Sequence, residues 1–437
     1  MAAAGLPSAL QTGVKMNQTV AVLAIGLCIG CSAHAAGTGD PPADDLDALT
    51  IADQAPVPQA QQALNWRLFI EGAGGTGKLR EGDSSFGILR GSLDFRIDAS
   101  LAPGLRGVFS DRLDLVDSDG VPPGENVNTL REAYLSWART DDQIFDLGRV
   151  NIRNGAAMGF NPTDWFKANA LRAIVNPDPA VLRENRQGTV VLQAQQLWSE
   201  ASLTAALSPR LARSADTATF ALNAGATNPS NRYLVAASYK VSDKFNPQLL
   251  IYGGSDISPQ VGLNLSTLLG DSTVAFGEMA VGKGNTLIAE ALALPELQSN
   301  QQRASVGLTY TTAFNLSVSV EAEYSSAGPD ADQWNALPIA AKQQVLSTAQ
   351  SLQDLPSRSQ VFLYAVWKDL FVRRFDLSGF LRQDVQTNSQ ALWLEGRHSW
   401  ERAEVALQWQ MYTGTAGSLY YAVPQQRTIQ LVLRVYL

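Results

Sequence analysis

Most of the residue types that build catalytic and metal centres are scarce in this sequence. Of 437 residues, two are cysteine and two are histidine. Cys28, Cys31 and His34 crowd into the N-terminal stretch, so a chain cut before Ala36 keeps no cysteine and a single histidine, His398. Disulfides, thiolate metal sites and Cys–His nucleophile pairs are thereby excluded, and no cofactor or metal is expected. Long apolar runs are missing as well. A helical membrane span needs roughly 20 apolar residues, and only the segment around 20–30 comes near. Nor is there a basic excess. The 33 Lys and Arg face 41 Asp and Glu, a net charge of −8, which argues against a nucleic-acid partner.

The one apolar stretch has the three parts of an export signal. Lys15 provides the positive flank, residues 20–30 the core, and Ala33-His34-Ala35 the small-x-small cleavage site. Residues 1–35 therefore read as a signal peptide, with Met1 and Met16 both open as its start. Residues 36–63 are rich in Ala, Pro, Asp and Gln and hold no aromatic. Such a segment buries too little apolar surface to offset ordering entropy, so it reads as a flexible periplasmic leader.

From residue 64 onward the pattern has period two. Leu89, Leu93, Phe95 and Ile97 alternate with Arg90, Ser92, Asp94, Arg96 and Asp98. Leu316, Val318, Val320 and Tyr324 alternate with Ser317, Ser319, Glu321 and Glu323, and Ile429, Leu431, Leu433, Val435 and Leu437 close the chain. One apolar and one charged face suit either a soluble sandwich or a membrane barrel. Three features favour the barrel. Strands of about 9–12 residues match a tilted crossing of hydrocarbon. Trp137, Tyr239, Tyr324, Trp367, Trp400 and Tyr412 sit at strand ends, where an interfacial girdle belongs. Connections alternate between short (102–104, 140–142, 312–313) and long (72–85, 116–127, 152–185, 285–302, 327–359). The expected fold class is all-β: a transmembrane antiparallel β-barrel over 64–437 in the outer membrane, with short periplasmic turns and long extracellular loops. At roughly 20–23 residues per strand and connection it holds about 18 strands, with 16 as the alternative. Residues 337–352, inside the last long loop, have the spacing of a short amphipathic helix.

Residues 130–159 read LREAYLSWARTDDQIFDLGRVNIRNGAAMG and continue as FNPTDWFK. A strand ending in an aromatic, a polar turn, then a strand with Leu-Gly-Arg and a later glycine resembles Gram-negative outer-membrane porin-like barrels, among them the alginate-export-like group and related porins of unknown substrate. The resemblance implies a channel for passive, weakly selective diffusion or export of small polar or polymeric solutes. The last strand is similar to the assembly signal of such barrels but ends on Leu437 instead of an aromatic. The partners implied are outer-membrane lipid and lipopolysaccharide, the barrel assembly machinery and a small solute. A non-transporting barrel with an assembly, adhesion or structural role is the alternative.

No catalytic residue is expected. His398 shares a face with Leu392, Leu394 and Trp400, a girdle position. The run from Gly72 to Lys78 lacks the GxxxxGK[ST] spacing of a phosphate loop and reads as an external loop. The lumen candidates are Asp94, Arg96 and Arg112 on one inner surface and Arg374, Arg382 and Arg397 on a second. These charges either focus a solute or tile the wall as cross-strand ion pairs. The loop 152–185 is the candidate constriction, with Arg153, Asp164, Trp165 and Lys167 as its solute contacts. Folded inward, its backbone is expected to meet Asp94, Arg96 and Arg112. Arg149 shares the face of Phe145 and Leu147, so either a bulge or a position above the apolar band accounts for it.

Overall fold

The computed structural model describes residues 65–437 apart from 83 and 296–297. The expected signal peptide and leader lie outside the described residues. Alternation closes the chain into an 18-stranded antiparallel barrel. The strands are β1 (Asn65–Leu79), β2 (Ser85–Ala102), β3 (Leu105–Ser118), β4 (Val127–Thr140), β5 (Gln143–Val150), β6 (Thr189–Leu197), β7 (Ala201–Ser208), β8 (Arg232–Tyr239) and β9 (Gln248–Gly254). They continue as β10 (Ile257–Leu268), β11 (Thr273–Gly284), β12 (Ser299–Thr311), β13 (Leu316–Ser325), β14 (Ser359–Trp367), β15 (Phe375–Asp384), β16 (Ser389–Ser399), β17 (Ala403–Thr413) and β18 (Gln425–Tyr436). Each pairs with the next, and β18 returns to β1. Closure leaves no strand edge to face hydrocarbon, where an unpaired amide is costly.

The two faces divide as the period requires. Leu89, Leu93, Leu147, Leu207, Val306, Leu407 and Leu431 are exposed on the outside, while Asp94, Arg112 and Glu321 are buried inside. A closed barrel with an outward apolar belt is a membrane-spanning structure. Even-numbered strands end in short turns such as 103–104, 141–142 and 400–402. The opposite end carries the long connections 151–188, 209–231, 285–298 and 326–358. Trp137, Tyr239 and Trp400 are exposed near the short turns, as a girdle requires. Tyr412 is not part of it. It shares the inward face of Gln408 and Gln410, donated to by Gln410 at 2.6 Å and stacked on Tyr420 at 6.1 Å.

Two other expectations change. The glycine run is strand, not loop: β1 runs to Leu79, with Gly74 opposite Leu431 and Leu89, and only 80–84 connects it to β2. Two of its glycines answer to crowding: a Cβ on Gly75 would lie 2.2 Å from the Ile429 carbonyl oxygen and one on Gly77 2.1 Å from the Phe86 ring. Arg149 stays in unbroken register opposite Val190 and Ala133. It lies at the long-loop end of β5, where it donates to the Gly188 and Leu222 carbonyls and the Thr227 hydroxyl. It therefore lies above the apolar band, capped by the connection 209–231.

Five short helices occupy the long connections: α1 (Pro179–Glu184), α2 (Ala224–Thr227), α3 (Leu287–Ala291), α4 (Ala331–Asn335) and α5 (Ile339–Leu352). The last is the expected amphipathic helix. Leu287, Trp334, Val345, Ala349, Leu419 and Tyr420 form an apolar cluster against Ala391 of the inner wall.

Candidate constriction site

Two kinds of wall line the lumen. On the β1–β4 side inward positions are charged and satisfy one another. Glu71 accepts from Arg90 at 2.7 Å, Arg112 at 3.0 Å and Arg434 at 2.8 Å. Asp94 faces Arg131 at 2.7 Å and Arg112 at 3.6 Å, while Arg112 also reaches Asp114 at 3.0 Å. Arg96 pairs with Glu132 at 2.6 Å. A register shift opposite Ser110 and Asp111 lets the consecutive residues Arg131 and Glu132 both serve this lattice. On β14–β16 a cluster of aromatic rings stands among the inward charges Arg382, Asp384, Glu395 and Arg397. Phe380 lies 5.7 Å from both Phe362 and Trp393, and Phe362 lies 6.3 Å from Tyr364.

The connection 151–188 leaves β5 and crosses to the far side. The Ala157 amide donates to Glu278 on β11 at 2.7 Å, and those of Met158 and Gly159 donate to Glu321 on β13 at 2.7 and 3.0 Å. Close approach requires the two glycines. Gly155 sits at φ +81°, and a Cβ there would lie 2.3 Å from the Glu278 carboxylate; one on Gly159 would lie 2.1 Å from Glu323. The loop then runs along β10 and β9, where Thr163 donates to Asn264 and Trp165 to Gln260, both at 2.7 Å. Trp165 also stacks on Tyr252 at 5.0 Å. The return leg takes a bond from Arg90 to the Val175 carbonyl at 2.8 Å and gives one from Asn176 to Glu395 at 3.3 Å. Asp178 caps α1 through the Ala180 amide at 2.9 Å, and α1 presents Glu184 to Arg67 at 2.7 Å. With its backbone satisfied from opposite walls, the loop is held inside the barrel.

The expected loop residues converge here. Asp164 pairs with Arg186 at 2.5 Å. Lys167 donates to the Asn161 carbonyl at 2.5 Å and stands 4.5 Å over the Phe160 ring, and burial pulls its ammonium down to about 8. Arg153 is half-buried, with no hydrogen bond or ion pair among the described residues, where the fields of Glu132 and Glu184 are opposed by those of Arg186 and Arg96. From the second inner set, Arg382 joins the site through Glu323 at 3.1 Å and the Gly159 carbonyl at 2.7 Å. Arg397 is tied to Glu395 at 2.8 Å and to Glu404. Arg374 does not line the lumen: β15 begins at Phe375, which leaves Arg374 exposed in the turn 368–374. Asp94, Arg96 and Arg112 are on the inner wall as expected, but the charged lattice consumes them and they do not hold the loop. A cavity of about 190 Å³ remains between loop and wall, lined by Phe160, Lys167, Arg183, Gln353, Phe362 and Arg382.

The carboxylates that do hold the loop, Glu278 and Glu321, were not singled out from the sequence. Their mark appears only with the register: Glu278 stands opposite Asn264 and Ser305, and Glu321 opposite Gly307 and Phe362, so neither has a cation across the strand. Among the described residues no cluster of His, Cys, Asp and Glu is able to hold a metal ion. His398 rests 4.5 Å from the Trp400 ring, away from the lumen.

No family model and no curated protein sequence matches the chain. Solved structures do. OccAB1 of Acinetobacter baumannii is 10% identical with a TM-score of 0.54 over 88% of this chain and 99% of that one. A BenF-like porin of Pseudomonas fluorescens Pf-5 is 11% identical with a TM-score of 0.52 over 86% and 99%. OccK5 (OpdH) of Pseudomonas aeruginosa is 9% identical with a TM-score of 0.51 over 86% and 98%. The chain has the fold of a Gram-negative outer-membrane porin, a closed 18-strand barrel, and its connection 151–188 is folded inward.

Proposed function

We propose that the protein is a passive, weakly selective channel for small polar solutes, narrowed by the connection 151–188. The carrying observation is the loop itself: its amides rest on Glu278 and Glu321 of one wall while its return leg meets Arg90 of another. A loop gripped from both sides narrows the lumen, which fits passage of small solutes. The mixed signs of the lattice support weak charge preference, because paired charges leave little net field. Arg153, half-buried and without a hydrogen bond or ion pair among the described residues, is a side chain left to meet a passing solute. The likeness in fold to a structure described as a porin agrees with this reading.

Purified protein in a planar bilayer is expected to conduct salt, with a modest reversal potential in a gradient. A second reading, a non-transporting barrel, draws on the apolar cluster that α3, α5 and Tyr420 pack against the inner wall. Absence of conductance at every voltage would favour it.

A further inference from the structure

The turn 368–374 between β14 and β15 has an unusual backbone. Asp369, Phe371 and Arg374 all occupy the left-handed region, at φ 56°, 62° and 65°, where non-glycine residues are disfavoured. Internal bonds hold it there. The Leu370 amide donates to Phe375 and the Val372 amide to Leu370, both at 2.7 Å, and the Arg374 amide donates to the Asp369 carboxylate at 2.6 Å. Leu370 is buried, but Phe371 is 90% exposed and Val372 57% exposed. The backbone thus presents a phenyl ring and an isopropyl group outward, and no described residue covers them.

Positive charge surrounds them. Arg373, Arg374 and the neighbouring Arg402 are exposed and carry no side-chain bond or ion pair among the described residues. Lys368 adds a fourth cation. The acids on these two turns are Asp369, already occupied by a backbone amide, and Glu401. The turns are contiguous, since the Ser399 amide donates to the Arg374 carbonyl at 3.0 Å. The same strands carry the apolar belt through Leu377, Leu394 and Leu407, followed at this end by exposed Trp400 and by Trp367, whose ring tilts against Phe314 at 5.6 Å. Moving outward along the wall, the order is aliphatic, aromatic, cationic, which is the order of acyl chain, interface and phosphate in a leaflet.

We infer that the rim formed by turns 368–374 and 400–402 binds an anionic phospholipid of the inner leaflet, with Phe371 and Val372 at the acyl boundary and Arg373, Arg374 and Arg402 on the phosphate. Continuity with the lipid-facing belt and charge complementarity select this occupant over a periplasmic protein. The test is native mass spectrometry of the purified barrel in micelles containing equal phosphatidylglycerol and phosphatidylcholine. Wild type is expected to retain phosphatidylglycerol preferentially. The R373Q/R374Q pair should lower that preference roughly fivefold per arginine, R373K/R374K should preserve it, and F371S should reduce retention of both lipids. Heat-modifiable migration establishes folding; if the glutamine pair does not fold, R402Q replaces it. Equal retention of the two lipids by wild type, or a preference that survives in R373Q/R374Q, overturns the inference. So does capture of a periplasmic protein at this rim without any phospholipid preference.

Discussion

The β1–β4 wall and the β14–β16 wall face the same lumen with opposite chemistry. The first is a lattice in which Glu71 and Asp94 between them meet Arg90, Arg112, Arg131 and Arg434. The second is a row of rings from Tyr364 through Phe362 and Phe380 to Trp393. The difference follows what covers each. Charged side chains removed from water need counter-charges at hand, and here β1–β4 and the adjoining β18 supply them. On β14–β16 the loop and α5 lie over the wall, so the inward rings there behave as core and pack by area and shape, beside the paired charges Arg382, Glu395 and Arg397. An inward position in this barrel records its covering, not only its strand.

The largest expected effect breaks the lattice. Glu71→Ala would leave two buried guanidiniums and a half-buried third without their shared carboxylate, at a cost of about 3–5 kcal/mol, read as a lowered unfolding midpoint in denaturant. A cost under about 1 kcal/mol, the value of exposed pairs, would show the lattice to be solvated and the comparison false. Phe362→Ala comes next, at about 3 kcal/mol for a buried ring. Because Phe362 also underlies Gly159 and the Arg382 guanidinium, 4.8 Å from its ring, this variant should in addition raise conductance, as Glu71→Ala should not. Glu321→Gln weakens the shared acceptor of two loop amides, a local loss of roughly 1–2 kcal/mol. Noisier, larger single-channel currents at unchanged global stability are the expected signature. The smallest effect is at Lys167. Burial holds its ammonium near 8, against the pull of Asp354 and Asp164, so the constriction loses a positive charge as pH rises through that value. The reversal potential should drift toward cation preference between pH 7 and about 9, and Lys167→Met should abolish the drift. The unfolded chain binds this proton more tightly, so the folded state gains stability as pH climbs from about 8 toward the ordinary lysine value of 10.5.

The barrel was legible because alternation is strict where the wall is charged: the residues from Leu89 to Asp98 announce both their faces. It blurs along β14, where Phe362 and Tyr364 point inward and Val361 and Leu363 outward. Composition cannot tell a lipid-facing from a loop-facing ring. Tyr412 was assigned to the girdle for the same reason. Arg374 failed differently, since alternation was extended one residue past the end of a strand. The infolding of the long loop could be argued from its length and its mix of cations and aromatics, and Asp164, Trp165 and Lys167 do converge in it. Its holders could not, because Glu278 and Glu321 lie more than a hundred residues away and meet Ala157 and Met158 only through barrel closure.

Single-channel conductance of the variant lacking residues 160–174 tests the central claim most directly. The deletion removes Asp164, Trp165, Lys167 and Arg172 but touches no strand, so the barrel should still assemble and migrate as a heat-modifiable species. If the loop narrows the lumen, conductance rises clearly above that of the wild type. A folded deletion variant with unchanged conductance would contradict the account.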